Sequence, residues 1–258
     1  SVREAALGGR GSFASLGDEI AMTLDGYATA ARLLGSPGSP PRWTSVLDAG
    51  LTESGHVYIT TVWVEGTPLH QVERTLDPAE QHAIVQGLLS ILCDLHARRV
   101  AYGDLKLANV VLRADGGVTL IDLDTLREVP GFDAGAPTRD RSEAWAAPEQ
   151  ILQQETWLAS DLFAFARVAN EVFRKELPPH WRPALLACRH PKPQVRPTAA
   201  SLLAYLEGTE TALSDRSGAR IDLESPLEGA LPFDRPVTVP LTGGEQTERE
   251  MPSQGEQT

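Results

Sequence analysis

Positive charge is scarce in this chain, and lysine is the scarcest source of it. The 258 residues hold 23 lysines and arginines against 35 acidic residues, a formal net charge of −12 at pH 7. Only three of the cations are lysines, Lys106, Lys175 and Lys192, and none precedes residue 106. This balance excludes nucleic acid and anionic membrane as main partners, because both are held by clustered Lys and Arg. Cysteine is nearly absent too. Cys93 and Cys188 stand in apolar helical contexts, which argues against a disulfide framework or a zinc site and for buried thiols in a reducing, cytoplasmic compartment. The six histidines show no paired metal spacing. No apolar run approaches the ~20 residues that span a bilayer. The chain lacks an initiator Met and a signal peptide, so we expect it to be a piece of a longer protein.

What is present is concentrated in one stretch. Residues 102–112 read Tyr-Gly-Asp-Leu-Lys-Leu-Ala-Asn-Val-Val-Leu, and Leu120-Ile121-Asp122-Leu123-Asp124 follows after a turn signal at Gly116-Gly117. Two short hydrophobic strands joined by that turn bring Asp104, Lys106, Asn109 and Asp122 to one end of a hairpin. A carboxylate, an ammonium and two oxygen donors in one place suit phosphoryl transfer. The carboxylate orients an acceptor hydroxyl, the cation meets the moving phosphoryl group, and the oxygens hold magnesium.

The stretch resembles the protein kinases. Tyr102–Asn109 is similar to the family's His-Arg-Asp-Leu-Lys-x-x-Asn, and Asp122-Leu123-Asp124 stands where the family has Asp-Phe-Gly. Ala147-Pro148-Glu149 matches the family's Ala-Pro-Glu. Asp161 resembles the helix Asp that ties down the catalytic loop, and Arg196 the late Arg that pairs with Glu149. The resemblance implies an α+β, two-lobed fold, with a small antiparallel-sheet N-lobe at about 1–66 and a mostly helical C-lobe at about 67–207. It implies ATP and Mg²⁺ as cofactors, with Asp104 and Lys106 catalytic and Asn109 and Asp122 metal-binding. Ser142 corresponds to the hydroxyl residue that braces the catalytic Asp and Lys in Ser/Thr kinases. Gly9 and Gly11, in Leu7–Leu16, are similar to the glycine-rich phosphate loop. Val62 and Val64 fall at the hinge, whose backbone meets the adenine, with Thr61 as gatekeeper.

Several positions depart from the family. The strand Lys is replaced by Thr23, in the alternating segment 19–24, and its helix Glu partner by Ala30, in the short helix expected over 27–34. The lost Lys is a charged hydrogen bond worth roughly 1.5–3 kcal/mol, or about ten- to a few-hundred-fold in rate. Arg10 and Arg32 are candidates to replace it. Gly103 takes the place of the Arg that pairs with an activation-segment phosphate. Asp124 takes the place of a Gly, and we expect it to face solvent.

Other segments read as scaffold. Residues 46–50 and 56–64 are expected strands. Asp77-Pro78 opens a helix reaching Arg98, with apolar residues at helical spacing. Helices are expected over 158–173, 183–188 and 199–206. The interval from Asp161 to Arg196 is too short for the family's extra helix in full. From Gly208 to the end there are ten acidic residues against four arginines, and Gly-Glu-Gln-Thr occurs twice, at 244–247 and 255–258. Residues 208–258 are therefore expected to be a disordered acidic tail or linker.

Three functions fit. One is a Ser/Thr protein kinase using Mg-ATP on a protein substrate. A second is a pseudokinase scaffold with a regulatory protein partner, favoured by the joint loss of Lys and Glu. The third is a small-molecule phosphotransferase, disfavoured by Ala147-Pro148-Glu149 and Arg196.

Overall fold

The computed structural model of the protein describes residues 2–4, 27–34, 41–53, 57–130, 134–138, 142–174, 176–223 and 229–233. The expected glycine loop with Gly9, Arg10 and Gly11, and the segment 19–24 with Thr23, lie outside these residues.

The first lobe is small. Strand β1 (Val2–Glu4), the helical segment α1 (27–34, π-helical over Ala30–Leu34), β2 (Val46–Leu51) and β3 (Val57–Thr61) make it up. The three strands form an antiparallel sheet in the order β1-β3-β2. A bulge between Val46 and Asp48 twists the outer strand.

The second lobe starts at β4 (Thr67–Pro68) and is organised by α2 (Pro78–Ala97). Both ends of α2 are set by local chemistry. Asp77 accepts the Glu80 amide at 2.9 Å, and the Glu80 carboxylate accepts the Asp77 amide at 3.0 Å. This reciprocal cap follows the sequence signal, and Pro78 at the first helical position needs no amide donor. Arg74 then grips Glu80 through both guanidinium nitrogens, at 2.8 and 2.7 Å. That bond, with the Asp77 amide, draws the carboxyl down to about 2. The helix stops where Arg99 turns left-handed at φ +58°.

After α2 come β5 (Val100–Ala101), a 3-10 turn (Leu107–Asn109), β6 (Val110–Leu112) and β7 (Val118–Leu120). β4, β6 and β7 form an antiparallel sheet in that order. The lobes join along the edge of β7, where the Thr44 amide donates to the Leu120 carbonyl and the Leu120 amide to the Arg42 carbonyl, both at 2.9 Å. β8 (Arg127–Glu128) pairs with β5, and β9 (Ala136–Pro137) with β10 (Glu155–Thr156). Four helices complete the lobe: α3 (Pro148–Leu152), α4 (Leu158–Val172), α5 (Arg182–Cys188) and α6 (Ala199–Leu206). Among the described residues the interval from Asp161 to Arg196 holds, besides the rest of α4, only the seven-residue α5 and a 3-10 turn, so the family's extra helix is reduced as expected.

The core lies where α2, α4 and α6 meet. Val85, Leu88, Leu89 and Leu92 of α2 and Phe165, Val168 and Ala169 of α4 are fully buried. Each large aliphatic side chain contributes about 1.5–3 kcal/mol by leaving water. His82, Phe173 and Trp181 pack edge to face beside them, with ring centroids 4.8–5.5 Å apart.

The expected tail boundary is corrected here. Residues 208–223 and 229–233 are folded. β11 (Leu213–Ser214) and β12 (Arg220–Ile221) form a hairpin, and Leu213 and Phe233 enter the main core at 0% and 6% exposure. Arg189 clamps the last of these residues, donating to the carbonyls of Leu231 and Pro232 at 3.4 and 2.8 Å. Average composition hid two apolar anchors in an otherwise polar stretch.

Candidate active site

The loop from Tyr102 to Asn109 is suspended from the helices by one carboxylate. Asp161, in the first turn of α4, accepts the amides of Tyr102 and Gly103 at 2.8 Å each. His96, near the end of α2, meets the same carboxylate at 3.0 Å. Two backbone donors and a ring nitrogen satisfy a buried anion that would otherwise be costly. Gly103 holds φ +89°, and a Cβ there would stand 2.9 Å from the Thr125 carbonyl. The loop therefore needs glycine at the position where the family has arginine.

Asp104, Lys106 and Ser142 form a closed triangle. Lys106 Nζ lies 2.5 Å from Asp104 Oδ2 and donates to Ser142 Oγ at 2.8 Å. The Ser142 amide donates to Asp104 Oδ1 at 2.8 Å. Both carboxylate oxygens are thus oriented, one by an amide and one by the ammonium. Asn109 donates from Nδ2 to the Asp104 carbonyl at 3.0 Å, which leaves its Oδ1 for a cation.

Asp122 enters from the end of β7. It holds φ +64°, a conformation few non-glycine residues adopt and one that marks functional sites. Tyr102 fixes it there. The phenol donates to the Ile121 carbonyl and, at 3.0 Å, to the Asp122 carbonyl. The Tyr27 hydroxyl of α1 donates to Asp122 Oδ1 at 3.4 Å. Sequence reasoning gave Tyr102, Tyr27 and His96 no role. Tyr102 and His96 were readable only as apolar-context residues, and Tyr27 only as part of a short helix.

Asp124 corrects an expectation. It faces the site rather than solvent and shares a hydrogen bond with Asp122. Burial, then the negative charge of Asp122, push its carboxyl up to about 7. Three carboxylates, those of Asp104, Asp122 and Asp124, act on one another with Lys106 as the cation that offsets them. Among the described residues no group of three His, Cys, Asp or Glu is arranged to hold a metal by itself, and the donors present are hard oxygens, which would suit magnesium rather than a soft metal. Asn109 and Asp122 are the residues that would hold it.

Two arginines were the candidates for the missing cation. Arg10 lies outside the described residues. Arg32 pairs instead with Glu128 at 2.7 Å, both side chains being more than half exposed. An exposed pair of this kind contributes little. Ala30, at the position of the family's helix Glu, is buried and apolar at 4% exposure. At the hinge, the Val62 amide donates to the Ser45 carbonyl, and its carbonyl accepts from the Thr44 hydroxyl, both at 2.8 Å. Val62 is thus already engaged by the first lobe. Val64 has no backbone partner among the described residues. Thr61 is half-buried at the end of β3.

Beyond the triangle, Glu149 and Arg196 form a buried bidentate pair at 2.7 Å through both oxygens. Ser160 donates to the same Glu149 carboxylate at 2.7 Å. Arg196 also donates to the carbonyls of His190, Ala159 and Pro191. Beside Glu149, Gln150 donates to the Gly103 carbonyl at 2.7 Å, so the start of α3 is tied to the catalytic-type loop. Among the described residues no helix is long and apolar enough to cross a membrane.

Comparison with known proteins agrees with this geometry. The family described as protein kinase domain matches residues 46–204, more than half of the chain. The probable serine/threonine-protein kinase PkwA of Thermomonospora curvata is 26% identical over 243 residues, which is 80% of this chain and 30% of that protein. Serine/threonine-protein kinase pkn3 of Myxococcus xanthus is 30% identical over 170 residues, 58% of this chain and 29% of that protein. Serine/threonine-protein kinase C of Synechocystis is 26% identical over 171 residues, 61% of this chain and 32% of that protein. The chain spans about a third of the length of these curated relatives. With its matched span, its two lobes and its paired Glu149 and Arg196, the chain belongs to the protein kinase family.

Proposed function

We propose that the chain is a Ser/Thr protein kinase that transfers the γ-phosphoryl group of ATP to a protein hydroxyl. The single observation that carries this reading is the closed triangle of Asp104, Lys106 and Ser142. Bound Mg-ATP supplies the phosphoryl group and its charge neutralisation. Asp104 orients the acceptor hydroxyl and takes its proton as the new O–P bond forms and the bond to the leaving diphosphate breaks. Lys106, held by Asp104 and Ser142, offsets the charge that develops on the transferred oxygens. Asn109 and Asp122 are the residues that would hold the magnesium ion. Ser142 beside Lys106, and relatives named as serine/threonine kinases, support Ser/Thr over Tyr as acceptor. The buried pair of Glu149 and Arg196, which fixes the segment after Ser142, supports a protein substrate over a small molecule.

A second reading is a nucleotide-binding scaffold without turnover. Ala30 favours it, since no acid stands on α1 where the family's ion pair would be. One experiment separates the two. Thermal unfolding with and without Mg-ATP is followed by phosphate transfer to a generic protein, using Asp104→Asn and Asp122→Asn as controls. The kinase reading expects stabilisation by Mg-ATP and turnover that falls at least about a hundredfold in Asp104→Asn. Stabilisation without turnover supports the scaffold, and turnover that survives Asp104→Asn defeats the site assignment.

A further inference from the structure

Helix α4 is almost wholly buried, and Arg167 is one of two residues between Asp161 and Val172 that are not. The other is Glu171, one turn on along the same face. That spacing suits an ion pair, yet among the described residues Arg167 pairs with no carboxylate. Its guanidinium turns instead to the segment after Ser142. Nη1 donates to the Ala144 carbonyl, and the group stands over the Trp145 ring, 5.0 Å from the centroid. Nε is buried with no hydrogen-bond partner. A buried unpaired donor costs stability, which an apolar residue at this position would avoid. The gain from arginine therefore lies in the segment it holds. Ser142 heads that segment. Its carbonyl accepts the Trp145 and Ala146 amides at 2.8 and 3.1 Å, which closes a turn. Glu143 and Ala144 are exposed. Among the described residues, Arg167 gives 143–145 their sole hydrogen bond from outside the segment.

We infer that Arg167 is a positioning residue for phosphoryl transfer: it pins the turn after Ser142 so that Ser142 stays seated on Asp104 and Lys106. Its effect on rate rests on the kinase reading above. Ser142 is the link, because its amide orients Asp104 at 2.8 Å and its hydroxyl accepts from Lys106 at 2.8 Å. Helix α4 thus acts twice on the triangle. Asp161 in its first turn suspends the loop that bears Asp104. Arg167, farther along, fixes the segment that closes on that loop. Arg167 bonds neither Asn109 nor Asp122, so its loss should spare the side of the site meant for Mg-ATP.

The test uses the full chain and has two arms. The first needs no nucleotide. In Arg167→Leu, hydrogen exchange at the Ser142, Trp145 and Ala146 amides should quicken by about fivefold or more, while amides in the middle of α2 keep their wild-type rates. The second arm is phosphate transfer from Mg-ATP to casein. There kcat should fall by about tenfold, with KM for Mg-ATP held within about twofold. Arg167→Lys keeps a cation over Trp145 and a donor for Ala144, and should recover part of both losses. Trp145→Leu removes the same contact from the segment side and keeps the test decisive if Arg167→Leu does not fold. Because the exchange arm requires no turnover, it judges the positioning even if wild type transfers no phosphate, a result that would defeat the kinase reading alone. Unchanged exchange in the folded variants, a KM for Mg-ATP that rises as far as kcat falls, or a lysine variant as impaired as the leucine one would each overturn the proposal.

Discussion

Gly103 shows how a single residue constrains what the loop can be. Its φ of +89° and the nearby Thr125 carbonyl leave no room for a side chain. Gly103→Ala is expected to cost about 1–2 kcal/mol in urea unfolding, from left-handed strain alone. Gly103→Arg, which restores the family's residue, should cost at least as much. Cys188 makes a second prediction, on pH. Burial raises its thiol to about 12 from an ordinary 9, while its Sγ donates to the Ala184 carbonyl at 3.4 Å. The unfolded chain therefore loses this proton first as pH rises. The stability from the buried thiol is complete below about pH 9 and drains away from there towards about 12. In urea titrations, the advantage of wild type over Cys188→Ala should shrink by on the order of 1 kcal/mol between about pH 8 and 10.

At the scale of elements, the pairing of α3 with the segment before α6 rests on Glu149 and Arg196, whose side chains are 1% and 0% exposed. Arg196→Met would leave the Glu149 charge buried with only Ser160 beside it. A loss of about 3–5 kcal/mol is expected, measured by chemical unfolding. The double variant Arg196→Met, Glu149→Leu should recover part of that loss, because the orphaned charge is gone. This pair was legible in the sequence, as were Asp77-Pro78 at the head of α2 and the cluster at 104–122. Each is a local or fixed-order pattern in which residue type dictates geometry. Partners outside such patterns, which meet only when elements pack, were not legible. His96 on an apolar helix looks like any core histidine until α4 brings Asp161 against it. Asp124 looked solvent-bound because nothing in its neighbours' identities says which way the chain turns at an aspartate with φ +64° two residues earlier. Arg32 had the right charge, but its place on α1 sends it to Glu128.

For the molecule as a whole, the second lobe extends past α6. Leu213 and Phe233 belong to the main core, and Arg189 stacks on Phe163, 3.8 Å from its ring centroid, while holding the carbonyls of Leu231 and Pro232. A chain ended after Glu207 loses both anchors. It should lose several kcal/mol, at about 1.5–3 for each large apolar side chain re-exposed. Comparing urea midpoints of chains ended after Glu207 and after Phe233 checks this. Equal midpoints would show the added residues to be passengers.

Tyr102 carries a consequence for how such a molecule can be turned on and off. One side chain reaches from the loop bearing Asp104 to the backbone of Asp122, while its own amide hangs from α4. The floor of the cleft is therefore riveted into a single plate. Swinging Asp122 outward would break that latch, whereas lifting the small lobe away from the plate would cost, at Asp122, only the longer Tyr27 hydroxyl bond of 3.4 Å.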